Sequence, residues 1–482
     1  MMKKALIRIT ALLAALILLS GLTACGRKPE TGDKLKSNVA RAYSRGDRCS
    51  RFFRDAAPIA GEVSGKAYLD AAANGSAALA WVDSLVYFVS EKGVEPLGSG
   101  ISAAEISFDG NTAYYLLDGV FMRYSADTGE KTGLVTGVDS VVQIAISPGA
   151  ECAVLTAEFT EGGQRSVLIK GGEVSPVLTD GRDTVLAVSD GADIVYYFDA
   201  SSREFRVEKD GESILISREC GAASSFNFTN DLSEVSFLTD SRKTEIYRLS
   251  DGLSVSLGTG FGYTLKTDVY SMNTVTWPVY INGVGSFLNG LWARRDRTEA
   301  GEYLFSIAYV DKNGADWIVL GAADGFKVSD DAKRIIWMEY DQLKLTEVSG
   351  KTTLLARDVS AFTCGGDCGK AYYISNAGSL FEVGKGGKPK KLDSAVSFAE
   401  AVGGGCAYIK NMTAGDDGSG TLVFFKDGKA REIMAGASYF ETRSGQLMLF
   451  ASPEKTEYGV LYTLYLTADG VNWTEAARSV DP

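Results

Sequence analysis

The sequence contains no histidine. That absence removes the imidazole base of Ser-His-Asp and Cys-His nucleophile systems and the paired histidines of HExxH zinc sites. Any general acid–base chemistry would therefore fall mainly to carboxylates. Proline is scarce too: nine residues, beside 54 glycines, suit many tight turns better than long linkers. Positive charge is in short supply, with 49 Lys and Arg against 61 Asp and Glu, for a net charge of −12. The deficit is uneven. Lys3, Lys4 and Arg8 make residues 1–26 net +3, and nine basic against three acidic side chains make 27–54 net +6, so the remainder carries −21. An acidic body of this kind lacks the basic face that phosphate neutralisation needs, which excludes a nucleic-acid binder.

Several familiar motifs are missing. Residues 365–370 approximate a P-loop but are one residue short and lack Ser or Thr after Lys370. Residues 415–418 form an acidic turn without the alternating oxygens of an EF-hand loop. The sequence supplies no recognisable catalytic set, metal-ligand set or cofactor motif. A glycosidase pair cannot be chosen by spacing, because its two carboxylates would come from different repeats.

What is present is best seen at 101–137. The runs AEISF, AYYLL and VFMRYS are closed by Asp109-Gly110, Asp118-Gly119 and Asp127-Thr128-Gly129, and a short tail, GLVTG, follows. Short runs of β-branched and aromatic residues, each ended by a Gly/Asp pair, read as hairpin-connected strands. The unit recurs. Its first turn falls at Asn74-Gly75, Asp109-Gly110, Pro148-Gly149, Asp190-Gly191, Asn230-Asp231, Asp330-Asp331, Gly365-Gly366, Gly403-Gly404 and Ser444-Gly445. The steps are 35, 39, 42 and 40 residues, then 100, then 35, 38 and 41. A period near 40 with about four strands per unit predicts an all-β fold, a β-propeller of four-stranded antiparallel blades over 67–482. Tandem β-sandwiches would need units of about 100 residues. Nine turns and a degenerate unit in the long step point to one ring of about eight blades, or to two smaller propellers meeting near 260–300. The Tyr-Tyr pairs at 114/115, 196/197 and 372/373 lie inside strands and are expected in the core.

The order of apolar strand, Ser-x-Asp-Gly, Tyr-Tyr and a closing Gly resembles the repeats of TolB-type and WD40-like propellers, a likeness of fold and not of activity. Residues 467–473 (TADGVNW) are similar to the Asp-box turn of sialidase-like propellers, which stabilises a hairpin there and is not catalytic.

The amino terminus reads differently. A basic start and the run ALLAALILLSGLTA, ending at Cys25, form a secretory signal over 1–24. An uncleaved membrane helix is the alternative, but the run is short of the roughly 20 apolar residues a span requires. Leu22-Thr23-Ala24-Cys25 resembles the lipobox of bacterial lipoproteins, which implies lipidation of Cys25 and attachment to the bacterial cell membrane on its extracytoplasmic face. Residues 25–66 would then be a basic stalk, drawn to anionic head groups, with a short helix over 34–55, interrupted at Gly46.

The irregular stretch 269–301 interrupts the repeat and concentrates Trp277, Tyr280, Phe287, Trp292, Arg294, Arg295 and Arg297. Aromatics beside arginines suit stacking on a sugar or anchoring a protein, which makes Trp277, Tyr280, Phe287, Trp292, Arg294 and Arg295 the candidate ligand-binding residues. The competing reading is an elongated blade whose aromatics pack on the next. Cys152, Cys368 and Cys406 follow first turns and read as small buried residues. Cys364 and Cys368 flank one turn, where a disulfide is open in an oxidising compartment, and zinc would need two further ligands. These features together predict an extracytoplasmic lipoprotein whose propeller binds or scaffolds an envelope glycan or a protein. A carboxylate-based glycan hydrolase or lyase is the rival.

Overall fold

The computed structural model describes residues 39–54, 56–72, 74–176, 183–199, 201–220, 226–229, 231–259, 261–263, 270–271, 287–288, 290–297, 303–311, 313–321, 323–329, 333–402, 404–413, 418–443, 446–456, 459–467 and 472–478. Among them there is no helix, and every strand pairing is antiparallel. The strands form ten sheets. In chain order these occupy 39–64, 68–99, 103–136, 138–176, 183–217, 226–259, 261–321, 323–356 with an added strand at Tyr270–Ser271, 359–393 and 396–478. Seven sheets have four strands; the first has three, the eighth five and the tenth seven.

Each first turn picked out by the repeat falls between the first and second strands of a unit, from the second sheet onward. The tenth sheet holds two such turns because one long strand, Lys429–Arg443, pairs backwards through Gly420–Lys426 and forwards through Gln446–Thr456. The long step of 100 residues hides the seventh sheet, whose strand Gly290–Arg297 pairs with Tyr303–Asp311 along its whole length. Ten sheets therefore replace the expected eight or so. The lower count came from the usual ceiling on blade number, not from the residues.

Strand alternation explains the Tyr-Tyr pairs. Successive side chains of a strand point to opposite faces, so each pair supplies two different interfaces between sheets. Tyr115 packs with Leu79, Phe88 and Ile106 between the second and third sheets, while Tyr114 packs with Phe121, Leu155 and Ile169 between the third and fourth. Tyr197 and Tyr196 divide in the same way between the fourth–fifth and fifth–sixth interfaces. Tyr373 and Tyr372 serve the eighth–ninth and ninth–tenth. All six rings are buried, as expected. Each such ring contributes about 2–3 kcal/mol by leaving water.

Phe52-Phe53 repeats the device where the sequence pointed to a stalk. The expected helix over 34–55 is absent from its described part, which forms strands Val39–Ser44 and Cys49–Arg54 joined to Ala57–Ser64. Phe52 packs with Ala78, Ala80, Val82 and Val89 of the second sheet. Phe53 packs with Leu464, Leu466, Ala476 and Ala477 of the tenth. Both phenylalanines are essentially inaccessible, and Ser44 Oγ donates to the Arg478 carbonyl at 3.2 Å. The basic side chains sit at the rim, where Arg51 meets Glu62 and Arg54 meets Glu91. Charge disguised a two-faced sheet.

Five of the first turns share a side-chain staple. A Ser or Thr at the end of the first strand accepts a hydrogen bond from the backbone N–H five residues on. The pairs are Ser107–Thr112, Ser147–Cys152, Ser189–Ile194, Thr229–Glu234 and Ser329–Arg334, at 2.9–3.1 Å. In the first four of these turns the fourth residue has positive φ: Gly110 at 70°, Ala150 at 57°, Ala192 at 59° and Leu232 at 56°. Only Gly110 is forced to be glycine by a neighbour, since a Cβ there would lie 2.3 Å from Ser76 Oγ. Ser76 and Asn74 both donate to the Asp109 carbonyl and so lock the turn of the second sheet onto that of the third. Ser147→Ala strands the buried N–H of Cys152 and is expected to cost about 2 kcal/mol, read as a lower urea midpoint at unchanged m.

Candidate functional site

First strands of successive sheets are neighbours: 103–106 with 138–146, 138–146 with 183–188, and 359–364 with 396–402. Last strands are neighbours as well, as at 131–136 with 173–176. The sheets therefore stand like successive blades, with their first strands gathered on one side.

Tyr68 and Asp70 share one face of the strand Tyr68–Ala71, which is exposed along most of its length. Tyr68 is 69% exposed, unusual for so large an apolar surface. Glu105 lies on the next first strand, Ala103–Ile106, and its side chain also reaches water. Protein nevertheless crowds both carboxylates. Burial raises Asp70 above the ordinary range. Burial first, and the charge of Asp70 second, push Glu105 up to about 7. Two further aromatics, Phe398 and Tyr439, belong to the tenth sheet with ring centroids 6.1 Å apart, and Tyr439 is 46% exposed. Exposed aromatics and protonatable carboxylates on first strands can stack on a sugar face, hold hydroxyls and pass a proton.

The raised Glu105 has a consequence for stability. The unfolded side chain releases its proton near 4.5, but the folded protein holds it to about 7. The folded state binds more protons through that window, so stability falls as pH rises through it. Solvent access discounts the effect to about 1 kcal/mol. Glu105→Gln is expected to abolish that fall, measured as urea midpoints at about pH 5 and 8.

Of the residues selected from sequence, Trp277 and Tyr280 lie outside the described residues, as does Cys25. Phe287 and Trp292 are buried, at 0% and 2% exposure, in a cluster with Ile246, Val255, Leu257 and Val310. The Trp292 indole N–H donates to the Phe287 carbonyl at 3.2 Å. These two aromatics thus pack against the sixth sheet and offer no face to a ligand. Arg294 and Arg295, described at the backbone, pair with Ser306 and Phe305 within a regular ladder. The connection is held by Glu234, whose Oε2 accepts the backbone N–H groups of Phe287 at 2.7 Å and Leu288 at 3.0 Å. Tyr68, Asp70 and Glu105 were not among the residues selected from sequence, because an acid and a tyrosine on short strands make no local motif.

Among the described residues no group of His, Cys, Asp and Glu is placed to hold a metal ion, and no helix is long and apolar enough to cross a membrane. No family model matches the chain, and no curated protein matches it. Solved structures with similar coordinates include a eukaryotic initiation factor, 10% identical, covering 81% of this chain and 93% of that one at a TM-score of 0.38. The tricorn protease is 10% identical, covering 91% and 52% at 0.29. The dihydro-heme d1 dehydrogenase NirN, in complex with DHE, is 11% identical, covering 94% and 75% at 0.31.

Proposed function

We propose that the protein is a lipid-anchored extracytoplasmic β-propeller that recognises an envelope glycan along its first strands. The observation that carries this reading is that Tyr68 and Asp70 share one exposed strand, and that Glu105, on the first strand of the next sheet, is close enough to feel the charge of Asp70. Stacking on Tyr68 and hydrogen bonds from sugar hydroxyls to the two acids are the chemistry of glycan recognition. Closure of the ring is supported by the first sheet, which packs on the second through Phe52 and on the tenth through Phe53.

The Leu-Thr-Ala-Cys ending supports attachment of Cys25 to the membrane. The segment from Cys25 to Val39 reaches at most about 50 Å when extended, which keeps the sheets close to that membrane. In this reading the basic residues before Val39 steady the tether on anionic head groups.

A hydrolase is the second reading, and one observation favours it: Glu105, pushed up to about 7 beside Asp70, would remain a proton donor near neutrality. The test is capture from detergent-solubilised native membranes by the tagged mature protein, with a Tyr68→Ala/Asp70→Asn/Glu105→Gln variant in parallel. The native form is expected to retain glycan and the variant to lose at least about tenfold. Shortened glycan released by the native form alone would establish hydrolysis. A protein captured equally by both forms would refute the first-strand site.

A further inference from the structure

The first turn of the ninth sheet departs from the staple. Its backbone follows the others, with the Cys368 N–H donating to the Gly365 carbonyl at 3.0 Å and Cys368 at φ 46°, the counterpart of Gly110, Ala150, Ala192 and Leu232. The position that holds Ser or Thr in those five turns is Gly365, which has no hydroxyl to offer. Ala72 lacks one too, but there Asn74 and Ser76 bind the next turn instead. In the ninth sheet two cysteines stand in that place: Cys364 just before Gly365, and Cys368 at the left-handed corner. Their sulfurs are 3.7 Å apart and both residues are buried, at 0% and 1% exposure.

We propose that Cys364 and Cys368 form a disulfide that replaces the hydroxyl staple of this turn. The reaction is exchange with a low-molecular-weight or protein disulfide: two S–H bonds break, one S–S bond forms between the cysteines, and the oxidant leaves as two thiols. The turn also carries the contact to the eighth sheet. The buried Lys327 ammonium donates to the Cys364 carbonyl at 2.8 Å, and Cys368 Sγ lies 3.8 Å from the Lys327 carbonyl oxygen. Closing the S–S bond would therefore fix the turn on which two neighbouring sheets join.

Cys364 beside it, and burial next, push the Cys368 thiol far above its ordinary range, so in the finished fold it stays protonated and unreactive. Oxidation accordingly belongs to folding, before the turn closes over the pair. The other described cysteines, Cys49, Cys152, Cys220 and Cys406, are buried and form no disulfide. Cys152 begins its second strand and Cys406 is the second residue of its own, whereas Cys368 stands in the turn itself, so the three that follow first turns are not equivalent.

Whether cells supply the oxidant rests on the extracytoplasmic reading; whether the pair closes does not. The mature protein would be unfolded, then refolded with oxidised and reduced glutathione, alkylated without reduction, and digested with trypsin. The tryptic peptide 358–370 holds both cysteines. It is expected lighter by two hydrogen atoms and unalkylated, with the other four cysteines alkylated. Full alkylation of both after refolding in oxidised glutathione overturns the proposal. Acid trapping of thiols in intact cells forms the second arm. Closure in the refolding arm with free thiols in cells would count against the location and leave the pair standing.

A variant controls for a pair that is merely adjacent. Cys364→Ala/Cys368→Ala is expected to melt several degrees below the oxidised protein. Adding Gly365→Ser is expected to recover part of that loss, since a Cβ at Gly365 meets nothing closer than Asp367 Oδ1 at 3.8 Å. No difference between the oxidised protein and the double variant would show that the bond is not a staple.

Discussion

Phe53→Ala is expected to destabilise the protein by about 3–5 kcal/mol, the range for removing a large ring from a core that cannot collapse around it. Phe53 is 2% exposed and, among the described residues, is the one aromatic in the cluster that joins the first sheet to the tenth, with Ala42, Ala56, Leu464, Leu466, Ala476 and Ala477. Alanine in its place leaves a cavity at the point where the two ends of the described chain meet. Guanidinium denaturation should show the lower midpoint. Limited proteolysis should show cleavage within 39–64 well before the rest of the chain is attacked. A stalk standing away from the body would produce neither result, because Phe53 would then have nothing to lose.

The second large effect is expected at Glu234. This carboxylate is buried in a residue 6% exposed and accepts two backbone N–H groups, from Phe287 and Leu288. Glu234→Ala leaves both donors without that partner inside the protein, at a cost of about 3 kcal/mol. Glu234→Gln keeps one acceptor oxygen of similar reach and is expected to cost about 1 kcal/mol. The ordering matters more than either number. If alanine and glutamine were equally damaging, the charge of Glu234 and not its hydrogen bonds would hold the connection. Denaturation midpoints of the two variants, with tryptophan fluorescence reporting the burial of Trp292, distinguish these cases.

Much of the fold could be read directly. Gly and Asp mark first turns because those turns need a left-handed residue and a side chain that bonds its own backbone. The markers therefore recur wherever the sheet does, and they located second strands such as Thr112–Leu117 and Lys370–Ser375. The staple was half visible as Ser-x-Asp-Gly, but its partner five residues on is found only through space. The first sheet was hidden because nine basic side chains over 27–54 outweighed two adjacent phenylalanines. Phe52-Phe53 was nevertheless the signal, since two aromatics in succession on a strand require a partner on each face.

The site was legible only in part. Aromatics and arginines in an irregular stretch suggested a recognition loop. Phe287 and Trp292 turned inward because Glu234 fixes the backbone beside them and an apolar cluster receives their rings. Asp70 and Glu105 are two carboxylates among 61. Nothing in their own neighbourhoods of sequence sets them apart. What relates them is the fold, which brings Asp70 close enough for its charge to act on Glu105.

The central claim is that ligand is held on those strands. Its most direct measurement is carbodiimide footprinting of carboxylates in the protein, alone and after capture of native envelope material. The account predicts that bound material protects Asp70 and Glu105 while outer acids such as Glu91 and Asp127 label as before. Unchanged labelling of Asp70 and Glu105 with the ligand in place would contradict it.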